Sequence, residues 1–255
     1  MSSFKIKTYR SFSRGICQNH RFANSDINRI FGMRHLAFNT LSDLSCLVLR
    51  NPAYLQILRK IGFVVPQVLN SDEEHILRGQ IARVLLTPNS ELHYYIAKNL
   101  IQLDRKHVIG VQVRTGGHLS LVRESGRFLY QNTIFKIGQV VKNVIVQQGW
   151  NTSECVVFLT ADSGLAFTKI RQDLEDSVKV VSTEGYRVGH SSSYLAYKQH
   201  NEFLKRAIVD LVLLSQSDFI LYTYGSSYGR LARRLCLHSN HLVLQNNITT
   251  ICIVC

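Results

Sequence analysis

The chain has 255 residues, 45% apolar and 18% charged, and carries a net charge of +13. This composition excludes a disordered chain, and six cysteines are too sparse for a disulfide scaffold. The positive excess favours anionic partners and is strongest in residues 1–50, where eight Lys/Arg face two Asp/Glu.

The opening "MSSFKIKTYRSFSRG" is basic but lacks the apolar block of a signal peptide, and no apolar run reaches the ~18–20 residues needed to span a bilayer. "YLQILRKIGFVV" reads as a helix followed by an extended stretch, with Gly62 as the stop. Ser71 and Glu74 form a capping box ahead of an apolar face of Leu77, Ile81, Val84 and Leu85. Thr87-Pro88 restarts a helix, with proline at its first position and Leu92, Tyr95, Ile96 and Leu100 on the buried side.

From His107 the pattern changes to strands alternating with helices. "HVIGVQV" is a β-branched strand ending at "RTGG". "NTIFKIGQVVKNVIVQQG" is helical, "CVVFLT" is a second strand ending at "ADS", and "LAFTKIRQDLED" is a helix. "VKVV" is a third strand ending at "STEGY". A long helix over 199–216 follows, with Phe203, Ala207, Ile208, Leu211 and Leu214 on one side. "FILYT" and "HLVLQ" complete the strands. The alternation predicts β-α-β units and a mainly parallel sheet, whose ligands bind beyond the carboxyl ends of the strands.

Those ends collect the candidate residues. Arg114 follows the first strand and either reaches a diphosphate with paired, charge-assisted bonds or is a surface arginine at a turn. Gly116 and Gly117 let that loop turn sharply. Asp162 and Ser163 follow the second strand; the carboxylate there accepts from a ribose hydroxyl or a guanine N–H, or caps the next helix. After the fourth strand, "YTYGSSYGRLARRL" joins a strand to a basic helix through Tyr224, Gly225, Ser226, Ser227 and Tyr228. A helix start presents unpaired N–H groups that suit an anion, and the same segment also reads as a capped loop without a ligand.

Other nucleotide devices are missing: there is no G-x-x-x-x-G-K-[ST] loop, no G-x-G-x-x-G opening a helix, and no D-x-D pair for a divalent metal. Cys252 and Cys255 form a lone C-x-x-C without the second pair that zinc needs. The ten histidines show no metal pattern, and the sequons at Asn151 and Asn247 matter only in a secretory compartment.

"IGVQVRTGG" resembles the first motif of the α-1,2/α-1,6/protein-O fucosyltransferase superfamily, an apolar strand ending in H-x-R or Q-x-R. "VVFLTADS" is similar to the second motif, and "AIVDLVLLSQSDFILYTYGSSYGRLA" to the third. The Q-x-R form, with "LLTPNSELHYYIAKNL" upstream, is nearest the xyloglucan-type branch. The resemblance covers roughly residues 80–245. It implies an α/β fold of glycosyltransferase GT-B type, with two Rossmann-like domains of which the C-terminal one holds GDP-fucose. It also implies inverting transfer to a glycan or glycoconjugate, with neither cofactor nor metal, in the Golgi lumen.

The resemblance gives Gln112 and Arg114 the Q-x-R positions, with Arg114 on the β-phosphate. Asp162 and Ser163 fall near guanine or ribose, and Tyr224 to Tyr228 near the diphosphate. Glu124 is the expected general base, ahead of His118. The expected domains are a reduced, largely helical acceptor-side region over 1–104 and a Rossmann-like GDP-sugar-binding domain over 105–255. A non-catalytic GDP-sugar-binding relative is the second reading, and a basic nucleic-acid-binding protein the third.

Overall fold

The computed structural model describes residues 8–10, 37–39, 52–65, 71–85, 88–116, 128–183, 200–236 and 240–246. The chain divides into two compact units, Met1–Gln80 and Ile81–Cys255. The expected division at 104/105 falls inside the second unit.

In the first unit β1 (Thr8–Arg10) and β2 (Ala37–Asn39) pair in parallel. Helix α1 spans Pro52–Lys60 and ends at Gly62, whose φ of 97° favours a residue without a Cβ. The Phe63 N–H closes the helix end by donating to the Leu58 carbonyl. Helix α2 (Ser71–Leu85) crosses the division.

The second unit is a five-stranded parallel sheet flanked by helices. Its elements are α3 (Ser90–Leu100), β3 (His107–Val113), α4 (Gln131–Gln147), β4 (Cys155–Ala161), α5 (Gly164–Leu174), β5 (Lys179–Val181), α6 (His200–Leu214), β6 (Phe219–Thr223), α7 (Ser227–Leu235) and β7 (Asn240–Leu244). The strand order is β5-β4-β3-β6-β7, and every described pairing is parallel. Counted from β3 this is 3-2-1-4-5, the Rossmann order, which reverses direction between β3 and β6. A cleft opens at such a reversal, beyond the carboxyl ends of the two strands.

Side-chain alternation along the strands divides the core into two layers. Ile109, Val111 and Val113 of β3 join Ile134, Ile137, Val141, Val144, Ile170 and Leu174 from α4 and α5. On the opposite face Val108, Val156, Phe158 and Ile220 join Leu92, Ile96, Val209, Leu213, Ala232 and Leu235 from α3, α6 and α7. The near-continuous burial of β3, β4 and β6 is what a parallel sheet covered on both faces requires.

Two helices differ from expectation. Helix α3 begins at Ser90, not at Pro88, because Asn89 supplies a side-chain cap by accepting from the Leu92 N–H at 3.0 Å. On α6 the buried set includes Arg206 and Asp210, which an apolar periodicity cannot register. Among the described residues no helix is long and apolar enough to cross a membrane.

Candidate functional site

The β3–β6 ladder ends at the Gln112–Tyr222 pair. Beyond it, side chains replace the backbone pattern. The fully buried Thr223 hydroxyl accepts from the Arg114 N–H at 2.9 Å and donates to the Gln112 carbonyl at 3.3 Å. The Thr223 N–H in turn donates to the Gln112 side-chain oxygen at 3.3 Å. Gln112 is thereby committed to the β6 backbone.

Asp162 holds the same loop from the β4 side. One carboxylate oxygen accepts from the Thr115 N–H (2.8 Å) and the Thr115 hydroxyl (2.9 Å), and the other from the Gly116 N–H (3.1 Å). Its own N–H donates to the Val113 carbonyl at 3.2 Å. Three of the roughly four acceptor directions of a carboxylate are thus spent on the backbone and side chain that follow Arg114. The helix-capping role open to Asp162 belongs to Ser163, whose buried hydroxyl accepts from the Ala166 N–H at 3.4 Å.

The serine turn begins at Gly225, where φ is 78°. Ser226 is 1% exposed and caps α7, its hydroxyl oxygen accepting from the Gly229 N–H at 3.0 Å. The Arg230 N–H donates to the Ser226 carbonyl. Ser227 and Tyr228 open the first turn of α7, where backbone N–H groups have no intrahelical acceptor and lie at the positive end of the helix dipole. Gly229 allows α7 to seat closely on the sheet: a Cβ there would lie 2.5 Å from the Gln112 oxygen and 2.8 Å from the Tyr222 Cβ. Ser227 and Tyr224 are exposed. Tyr228 points its hydroxyl away from the cleft, donating to the Ala207 carbonyl of α6 at 2.7 Å. Burial raises its pKa well above the usual phenol value.

The structure therefore links Gln112, Arg114, Asp162, Gly225 and Ser226 through Thr223 and the loop hydrogen bonds, at the carboxyl ends of adjacent strands. It turns the side chains of Ser163 and Tyr228 to structural partners. Glu124, His118, Gly117, Asn247, Cys252 and Cys255 lie outside the described residues. Among the described residues no group of three or more His, Cys, Asp or Glu side chains could hold a metal.

Two features escaped the sequence. The Arg114 guanidinium carbon lies 4.9 Å from the centre of the Phe128 ring, and the Leu129 N–H donates to the Arg114 carbonyl at 3.2 Å. Phe128 is far from Arg114 in sequence and belongs to no periodic segment, so nothing local marks it. The second feature is a buried polar group behind the β4 and β5 ends. The Asp210 carboxylate accepts from Thr160 at 2.7 Å and from Thr183, and pairs with Arg206 at 3.4 Å. Burial raises the Asp210 pKa, while Arg206 and the two hydroxyls pull it down.

No protein-family model matches the chain, and no curated protein matches it by sequence. Solved structures do match. Arabidopsis thaliana FUT1, a mutant in complex with GDP, is similar at 13% identity and a TM-score of 0.53, over 84% of this chain and 44% of that one. The two share a fold over the matched part. The Bradyrhizobium fucosyltransferase NodZ aligns at 14% identity and a TM-score of 0.49, over 96% of this chain and 66% of that one. POFUT1 in complex with GDP aligns at 11% identity and a TM-score of 0.44, over 94% and 74%. At these identities the likeness concerns the fold, and this chain spans less than half the length of the Arabidopsis structure.

Proposed function

We propose that this chain binds GDP-fucose and transfers fucose to a glycan or glycoconjugate hydroxyl, with inversion and without a metal. The observation that carries the reading is the meeting of Arg114 and the capped start of α7 at the sheet's reversal point, across the Thr223 contact. The Arabidopsis structure of the same fold was solved with GDP, which supports a guanine nucleotide here.

The chemistry follows from charge. The acceptor hydroxyl attacks the sugar C1 while the bond from C1 to the β-phosphate oxygen breaks. Negative charge then grows on the leaving GDP. Arg114 and the Ser227 and Tyr228 N–H groups are the donors that meet it, and their effect is largest in the transition state. Asp162 keeps the Arg114 loop in place, with an acceptor direction left for ribose or guanine. Glu124 is the proposed base that takes the acceptor's proton. By the same family analogy the branch is the xyloglucan type, the domains divide at 104/105, and the compartment is the Golgi lumen.

The test is a panel of nucleotide sugars incubated with the protein, with and without EDTA, reading released nucleotide. Release from GDP-fucose alone, unchanged by chelation, is expected. Binding of GDP-fucose without release would favour the non-catalytic relative, and no binding of any guanine nucleotide would overturn both.

A further inference from the structure

One aromatic ring stands against the Arg114 guanidinium. Phe128 lies in the short segment leading into α4, and its own backbone is pinned there. Its carbonyl accepts from the Asn246 side chain at 2.9 Å, and the next residue's N–H donates to the Arg114 carbonyl. The ring lies near two loops, the one after β3 and the one after β6. A Cβ added at Gly116 would lie 2.4 Å from the Phe128 ring, and one added at Gly225 would lie 4.0 Å from it. The guanidinium of Arg114 sits over the same ring at 4.9 Å. Both glycines have positive φ, so each loop turns back where the ring stands.

We propose that Phe128 is a positioning residue: its ring holds the Arg114 guanidinium in the orientation that meets the donor's diphosphate. The inference rests on the GDP-sugar reading above. An arginine needs this support because its side chain has several rotatable bonds, and a fork aimed in advance loses less freedom on binding. The hydrogen bonds from Thr223 and Asp162 act on the backbone around Arg114, whereas the ring acts on its guanidinium. A ring face within about 6 Å of a guanidinium attracts it electrostatically, in addition to filling space.

That distinction defines the test. Phe128→Leu keeps apolar bulk and removes the ring face; Phe128→Tyr keeps both. Two readouts are taken on the whole chain: GDP affinity by calorimetry, and the NMR shifts of the Arg114 side-chain N–H protons, which a ring beneath them moves upfield. The wild type and the tyrosine variant should show the ring-induced shift and similar GDP affinity. The leucine variant should lose the shift and bind GDP about three- to thirtyfold more weakly, the range that one cation–π contact supplies. Absence of the shift in the wild type overturns the proposal whether or not GDP binds. Wild-type affinity in the leucine variant, or failure of tyrosine to restore it, also overturns it. If the shift is present but the wild type binds no GDP, the donor reading fails and the positioning role falls with it.

Discussion

Replacing Asp162 by asparagine separates a residue that holds the Arg114 loop from one that only touches a nucleotide. Its carboxylate accepts three hydrogen bonds, from the Thr115 N–H, the Thr115 hydroxyl and the Gly116 N–H. Asparagine is nearly the same shape but offers one oxygen and one NH2. If the oxygen serves Thr115, the NH2 faces the Gly116 N–H, donor against donor. Thr115 and Gly116 are both buried, so water cannot replace the lost acceptor. One charge-assisted bond is worth about 1.5–3 kcal/mol and a stranded buried donor costs about 1–3 kcal/mol, part of the same loss, so about 2–3 kcal/mol is expected. At about 2–4 °C per kcal/mol, the melting temperature should fall by about 4–12 °C. The measurement is a thermal melt without nucleotide, with amide hydrogen exchange over residues 114–116, which should accelerate. A nucleotide-free melt within about 1 °C of wild type, with unchanged exchange, would refute the structural role.

Thr223→Val removes the hydroxyl that accepts from the Arg114 N–H while keeping the shape. It should speed exchange of that amide and weaken GDP about tenfold, as expected for one lost buried hydrogen bond, and Thr223→Ser should restore both. Calorimetry and exchange on the three proteins check this. Asp210→Ala leaves the buried Arg206 without its carboxylate and should cost about 3–5 kcal/mol in denaturant unfolding, whereas Arg206→Met with Asp210→Leu should recover most of that loss.

The second unit was largely legible because its strands are β-branched runs bounded by small and polar residues. "HVIGVQV" and "FILYT" coincide with β3 and β6. The collection of Arg114, Asp162 and Ser226 on one edge followed from the alternation of strands and helices, since parallel strands put their carboxyl ends together. What was not legible depends on contacts between distant segments. Thr223 reads as one more strand residue until β3 lies beside it. Phe128 acquires meaning only from the guanidinium above it, and Arg206 and Asp210 interrupt an apolar face because Thr160 of β4 and Thr183, just after β5, supply hydroxyls there. Ser163 and Tyr228 stand at positions that suit a ligand, but a helix start and a nearby carbonyl claim their hydroxyls.

Whether Arg114 meets a diphosphate is decided by calorimetric titration of GDP into the wild type and Arg114→Lys. Lysine retains the charge and loses the planar fork that engages two phosphate oxygens. The wild type should bind GDP in the presence of EDTA, the lysine variant should bind about ten- to hundredfold more weakly, and the two should melt at nearly equal temperatures. No GDP binding by the wild type, or equal affinity in the two proteins, would mean that Arg114 does not engage the diphosphate.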